Sequence, residues 1–352
     1  MRLTGHVLVL GTLVIGGFAP TASLMAVAVS ASAATGLPQT TAAATATTPP
    51  IRVGKFPVGV AVNVATDTIY VANTVSNTVS VINGRTRKVV ATVRVGTHPT
   101  NVAVNRRTNT VYVTNPDSHT VSVISGRTRK VVATVRAGAD PTNVAVNRRT
   151  NRIYVTNPDS NTMWVVKGRT NKVVARVRVG DVPAGIAVNS RTNTIYVANL
   201  VDDTVSVIRG RTNKVVGTIS VGDAPVGIAV NSKTNTVYAA NAHADTVSVI
   251  NARTETVTAT VPAGAFPFAV AVSPRTNTVY VANQEANTVS VINGHTNKVT
   301  ATVRVGIFPA GIAVNPRTNT VYVTNAEDNT VSVLKFCRGK VAPRRGALCQ
   351  TG

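Results

Sequence analysis

One sentence of sequence is written seven times in register. A Gly-x-x-Pro opener falls at Gly54, Gly96, Gly138, Gly180, Gly222, Gly264 and Gly306, a constant spacing of 42 residues. Every tyrosine occupies one place in the unit: Tyr70, Tyr112, Tyr154, Tyr196, Tyr238, Tyr280 and Tyr322. A period of this length without helical patterning restricts the chain to a repeat architecture. In the second copy, Val102-Ala103-Val104 reads as strand a and Thr110 to Thr114 as strand b. Thr120 to Ile124 reads as strand c, and Val131 to Val135 as strand d. Val, Ile, Thr and Tyr dominate these runs, as strands prefer. Turn residues such as Asn83-Gly84 separate them.

Four short antiparallel strands per unit make a propeller blade, and seven units make an all-β seven-bladed β-propeller. The competing architecture, an open β-solenoid, would need distinct polar caps at both ends. Here the last copy stops after strand c, near Leu334, while Ile51-Arg52-Val53 before the first copy reads like the end of a strand d. An N-terminal strand completing the last blade, three-plus-one, would hide both edges. The expected organisation is a signal peptide at 1–34, an Ala/Thr/Pro-rich linker at 35–50, the propeller at 51–336 and a tail at 337–352.

The leader has Arg2, an apolar stretch and a small-x-small site at Ala31-Ser32-Ala33. The alternative, an N-terminal membrane anchor, fits less well with Gly11, Gly16, Gly17 and Pro20 interrupting the stretch. The reading is export, to a secreted or wall-associated location, with no stable transmembrane segment after processing. Cys337 and Cys349 are the only cysteines; outside the cell they can pair and close a tail loop.

Tyr112-Val113-Thr114-Asn115, Tyr154-Val155-Thr156-Asn157 and Tyr322-Val323-Thr324-Asn325 carry a resemblance to the YVTN family of β-propeller repeat proteins. Tyr70, Tyr196 and Tyr280 begin the variant YVAN, and Tyr238 begins YAAN. The resemblance covers residue 51 to about residue 334. It implies an extracytoplasmic protein similar to surface-layer-associated members, most of which have no defined activity. Related propellers include lactonase-like proteins, a streptogramin lyase and haem or quinone dehydrogenase subunits. The repeated Tyr and Asn are read as architecture.

Strand alternation sorts the loops into two faces. Turns a–b and c–d emerge on one, loops b–c and d–a on the other, the top. Eleven of the 13 acids map to the top, leaving Asp67 and Glu255 below. Bases gather underneath: Arg107, Arg149, Arg191 and Arg317 in a–b turns, Arg127, Arg169 and Arg211 in c–d turns. A chain of formal charge +23 thus has a basic disc face suited to anionic polymers. Cell-wall polymers, acidic glycans and other envelope components are the expected partners. The alternative is that repeat copying amplified one soluble turn. Sequence-specific nucleic-acid reading lacks interleaved aromatics on that face, and the protein is read as a monomer.

Departures from the repeat mark the candidate ligand site. In the d–a loops, Phe56, Phe266 and Phe308 belong to blades 1, 6 and 7, with Phe268 beside them. His98 is in blade 2, and Asp140, Asp181 and Asp223 are in blades 3, 4 and 5. An aromatic arc facing an acidic arc would suit an amphiphilic or cationic ligand. Alternatively, the phenylalanines seal the ring closure. Trp164 replaces a serine of the preceding copy and is read as filling space between blades.

Catalytic signatures are sparse. The sequence has no Cys-x-x-Cys-His for covalent haem, no close His/Cys set for zinc and no Gly-x-Ser-x-Gly elbow. No cofactor is expected, although Asp181, Asp202 and Asp203, flanked by Asp140 and Asp223, are where a divalent cation could bind. Two functions remain. One is a non-catalytic, exported binding or envelope-associated scaffold engaging anionic polymers. The other is a top-face hydrolase or lyase, lactonase-like, using a divalent cation and a loop histidine among His98, His119 and His243.

Overall fold

The computed structural model describes residues 44–45 and 48–336. The leader, most of the linker, and Cys337 with Cys349 lie outside the described residues. Seven antiparallel sheets are arranged in a ring. Blade 1 runs a, Pro57–Asn63; b, Thr68–Asn73; c, Thr78–Asn83; d, Lys88–Arg94. Strands a line the axis, each packing on strand a of the next blade, and that of blade 7 (Pro309–Asn315) packs on that of blade 1. Strands d lie outermost. The fourth position of the seventh sheet is filled by Ile51–Arg52, which pairs antiparallel with Thr330–Lys335. Ala44–Thr45 adds parallel to strand d of blade 6 (Lys298–Arg304), and the Thr48 hydroxyl donates to the Val333 carbonyl at 2.9 Å. Among the described residues no helix is long and apolar enough to cross a membrane.

Each sheet buries both faces because each is covered by a neighbouring blade. Strand b of blade 2 (Thr110–Asn115) is buried from Val111 onward. All seven signature tyrosines are at most 2 % exposed. Burial pushes the hydroxyl of Tyr112 up to about 12, so it stays protonated at neutral pH. The core is a chain of inter-blade clusters: Tyr70 and Val81 pack on Val102 and Val113 of the next blade. The signature threonines join blades through their hydroxyls. Thr114 donates to the Thr142 carbonyl, Thr156 to that of Ala184, and Thr324 across the ring closure to that of Val58.

A belt of amide bonds runs around the lower face. The asparagine ending each strand a donates to a turn residue of the next blade: Asn63 to Asn109, Asn105 to Asn151, Asn147 to Asn193. Asn189 donates to Asn235, Asn231 to Asn277, and Asn315 to Asp67, closing the ring at 2.7 Å. Every acceptor sits in the left-handed region, φ between 50° and 58°. Asn and Asp tolerate that conformation best among non-glycine residues. The belt breaks once. Blade 6 has Ser273 in place of asparagine, and its buried hydroxyl has no partner among the described residues. Asn319 opposite donates instead to the Phe336 carbonyl.

Ser273→Asn should complete the belt and raise stability by about 1 kcal/mol, since it pairs a buried polar group. A urea denaturation midpoint no higher than wild type would show that the seventh bond adds nothing.

Candidate functional site

The top loops are built by a second latch. The residue ending each b–c loop is left-handed and offers its side-chain oxygen to a backbone N–H in the following d–a loop. Asn77 accepts from His98, Asn161 from Val182, Asp203 from Ala224. Asp245 accepts from Phe266, Asn287 from Phe308, and Asn329 from Phe56. These six bonds span 2.8–3.0 Å. The receiving residues are themselves left-handed, φ 49° to 57°. Val182 at φ 50° is a β-branched residue in a strained conformation. Other top acids serve the same loops: Asp202 accepts from the Asp181 N–H and Asp328 from the Ile307 N–H.

The junction between blades 2 and 3 departs from this pattern. Position 119 is histidine, so there is no side-chain oxygen for the latch. His119 donates from Nδ1 to the Ala139 carbonyl instead. Asp140 is not left-handed, and Gly138 swings to φ 123°. Only glycine fits there, because a Cβ would collide with the Asn157 amide. In the other blades the signature asparagine bonds a serine seven residues on, as Asn115 does with Ser122 and Asn199 with Ser206. In blade 3 that serine is Trp164, and both polar side-chain atoms of Asn157 are left buried without a partner among the described residues. Trp164 lies opposite Arg176 in strand pairing, with the guanidinium 4.2 Å from the ring centroid. It is half-buried within its own blade, not in the axial funnel.

Inside the ring of top loops is a cavity of about 540 Å³. Its wall has two sectors. Phe56, Phe266, Phe268 and Phe308 form one, with Phe56 and Phe308 6.1 Å apart and Phe266 stacked on Phe268 at 6.4 Å. Leu200, Val226 and Ile228 extend this apolar collar through blades 4 and 5. Blades 2 and 3 form the other sector. There strands a shrink to Asn101–Asn105 and Val144–Asn147, and Thr-Asn stands where blades 1, 4, 5 and 7 have Val-Gly or Ala-Gly. Asn101 donates to Asn143 at 2.7 Å. Above them stand Asp117, Asp140, Asp159 and His119. Short 3-10 turns, Pro116–Ser118 and Pro158–Ser160, carry two of these acids.

Burial and the charges of Asp159 and Asp117 push the Asp140 carboxyl up from 3.8 to about 6, with His119 pulling weakly the other way. Asp117 accepts from Nδ1 of His98 at 2.5 Å. Among the described residues, neither the Asp140 nor the Asp159 carboxylate has a hydrogen-bond donor.

Of the expected top-rim residues, the cavity brings together Phe56, Phe266, Phe308 and Asp140. His98 is held at its edge through Asp117. Asp181 and Asp223 are exposed outside the wall, Asp223 lying 3.7 Å from His243. The acidic arc is therefore on blades 2 and 3, not on blades 3 to 5. Asp117, Asp159, Thr142 and Asn143 were not singled out as lining residues. The paired Pro-Asp-Ser and Pro-Thr-Asn segments unique to blades 2 and 3 were the available signal. No three His, Cys, Asp or Glu side chains are placed to hold a metal among the described residues.

The lower mouth of the axis is a second concavity, about 440 Å³, lined by Arg106, Arg107, Arg148, Arg149 and Arg317 with Val64 and Ala65. Arg149 donates to the Arg191 carbonyl and Arg317 to that of Val64, so neighbouring turns hold these guanidinium groups in place. Burial, then Arg106 and Arg149, lower the pKa of Arg148. Arg127, Arg169 and Arg211 are exposed on c–d turns at the perimeter.

A family description, YNCE-like beta-propeller, matches residues 18–209 and 219–347. Among solved structures, the chain is similar to Kuenenia stuttgartiensis hydrazine synthase, with a TM-score of 0.72 and 17% identity over 85% of this chain and 99% of that one. At that identity the likeness concerns the fold alone. No curated protein matches the chain.

Asp140→Asn should test the electrostatics of the upper cavity. A carboxyl with a raised folded pKa contributes stability that is present below about pH 4 and lost as pH rises through about 6. The amide variant should therefore exceed wild type at about pH 8, by about 1 kcal/mol after solvent screening. The difference should vanish near pH 4. Equal thermal midpoints across that range would contradict a strained Asp140.

Proposed function

This chain belongs to the YNCE-like beta-propeller family, and from that premise we propose that it is an exported, non-catalytic binding protein that engages anionic envelope polymers through its lower face. The observation that carries the reading is the arginine-lined mouth. Five guanidinium groups border one concavity that, among the described residues, no acidic side chain lines. Crowded like charges raise the energy of the free protein, and a polyanion relieves it by replacing mutual repulsion with attraction. Arg127, Arg169, Arg191 and Arg211 extend the same charge over the disc, so a long polymer meets it at many points. Wall polymers and acidic glycans provide such charge outside the cell. The leader at 1–34 supports export, and secretion or non-covalent wall association follows from it.

A lactonase-like activity is less well supported. The His98–Asp117 and His243–Asp223 pairs lie on different blades, and neither adjoins a three-ligand metal group among the described residues.

The charge-reversal variant Arg107→Glu, Arg149→Glu, Arg317→Glu should elute from an immobilised anionic wall polymer at markedly lower salt than wild type. The slope of log affinity against log salt should fall by about 2, as expected when about three charge contacts are lost. Coincident elution at every salt concentration would defeat the proposal.

A further inference from the structure

We propose that the upper funnel binds a small amphipathic cation, an organic ammonium with an apolar body, head-first against blades 2 and 3. The cavity volume, about 540 Å³, falls within the range of small-molecule sites. Its lining is divided as such a ligand would require. Phe56, Phe266, Phe268 and Phe308 give an apolar and π-rich wall across the ring from Asp140 and Asp159. An ammonium group supplies what those carboxylates lack, hydrogen-bond donors with positive charge. The aromatic wall shelters the body and adds cation–π attraction where the head passes it.

A second line of support comes from the repeat itself. Four other acids on this face are held by loop geometry: Asp202, Asp203, Asp245 and Asp328 each accept a backbone N–H, and the exposed Asp181 accepts from the Asn161 amide. Asp140 and Asp159 do no such work. Beside Asp140, His119 stands in place of the latch residue and Gly138 takes φ 123°. Trp164 leaves the neighbouring Asn157 amide unsatisfied, a further local cost. These departures occur at one junction, beside the cavity, while the other six junctions keep the latch.

Other occupants fit worse. A small anion meets three carboxylates. A divalent cation would use oxygen ligands and gain nothing from four phenylalanines, and Asp117 is already held by His98. The proposal concerns the face opposite the arginine mouth and does not depend on polymer binding there.

Isothermal titration of the full chain with phenylbutylamine, phenylbutanol and phenylbutanoate at neutral pH tests it. The amine should bind about 10-fold or more tightly than the alcohol, as one charge-assisted hydrogen bond allows. The carboxylate should bind more weakly than either. Asp140→Asn with Asp159→Asn should bring the amine down to the affinity of the alcohol and leave the alcohol unchanged. Asp181→Asn with Asp223→Asn, on the same face but outside the cavity, should change neither. Phe308→Leu should weaken amine and alcohol alike. Far-UV circular dichroism and melting of each variant establish that it is folded. Three outcomes would overturn the proposal: no binding of the amine at millimolar concentration, equal binding of all three probes, or equal loss from the inner and outer aspartate pairs. Competition by calcium at stoichiometric concentration would do so too, by assigning the carboxylates to a metal.

Discussion

The structure depends on side-chain amides held in left-handed turns. No strand of one blade pairs with a strand of the next, because each sheet is laid out radially from strand a at the axis to its outermost strand. Apolar packing between faces is non-directional and does not by itself fix how far each blade rotates about the axis. The amide belt below and the latch above provide direction. An Asn or Asp at φ near 55° turns its side-chain oxygen outward to a defined neighbour. Repeated around both rims, these bonds set blade angle and loop height together. Asn315 to Asp67 and Asn329 to Phe56 carry the same two bonds across the point where chain connectivity is lost.

That economy has a consequence for function. When both rims are occupied by structural bonds, most polar loop residues are committed before any ligand arrives. At the junction of blades 2 and 3 one latch is given up, and the surrounding irregularities cluster there. Without an acceptor at position 119 the d–a loop relaxes, Gly138 takes the slack, and Asp140 turns toward the axis. Thr142 and Asn143 then complete a polar wall where blades 1, 4, 5 and 7 have a glycine that lets the neighbouring backbone approach, as at Gly185 against Val226.

The fold was legible because the strands, turns and register recur at one spacing; seven copies average away local ambiguity. Charge sorting by face was also legible, since it needs only strand alternation. The membership of the cavity was not. Asp181 and Asp140 occupy neighbouring places in the same loop type, yet one caps outward beside Asp202 and the other faces the axis. They differ by one place after the loop glycine and in the residue about twenty positions earlier or later that meets the loop, His119 for Asp140 and Asp202 for Asp181. Trp164 illustrates a readable sign that was incompletely used. Its partner Arg176 also departs from the repeat, and a coupled pair on adjacent strands c and d is a packing exchange within one blade.

The remaining question is how a strongly basic protein can hold a cation. The strands are up to seven residues long, so the two faces are separated by about 20 Å at about 3.3 Å per residue. At physiological ionic strength, screening acts over about 8 Å. A ligand at the upper mouth therefore responds to the acids around it far more than to the arginines on the opposite side. Net charge describes the approach of the whole molecule to a distant polymer; the local field describes what enters the funnel. With the lower face against a polyanion, the acidic mouth would point away from that surface and stay open to solvent. The ring thus would let one chain carry the two proposed sites, of opposite preference, without either cancelling the other.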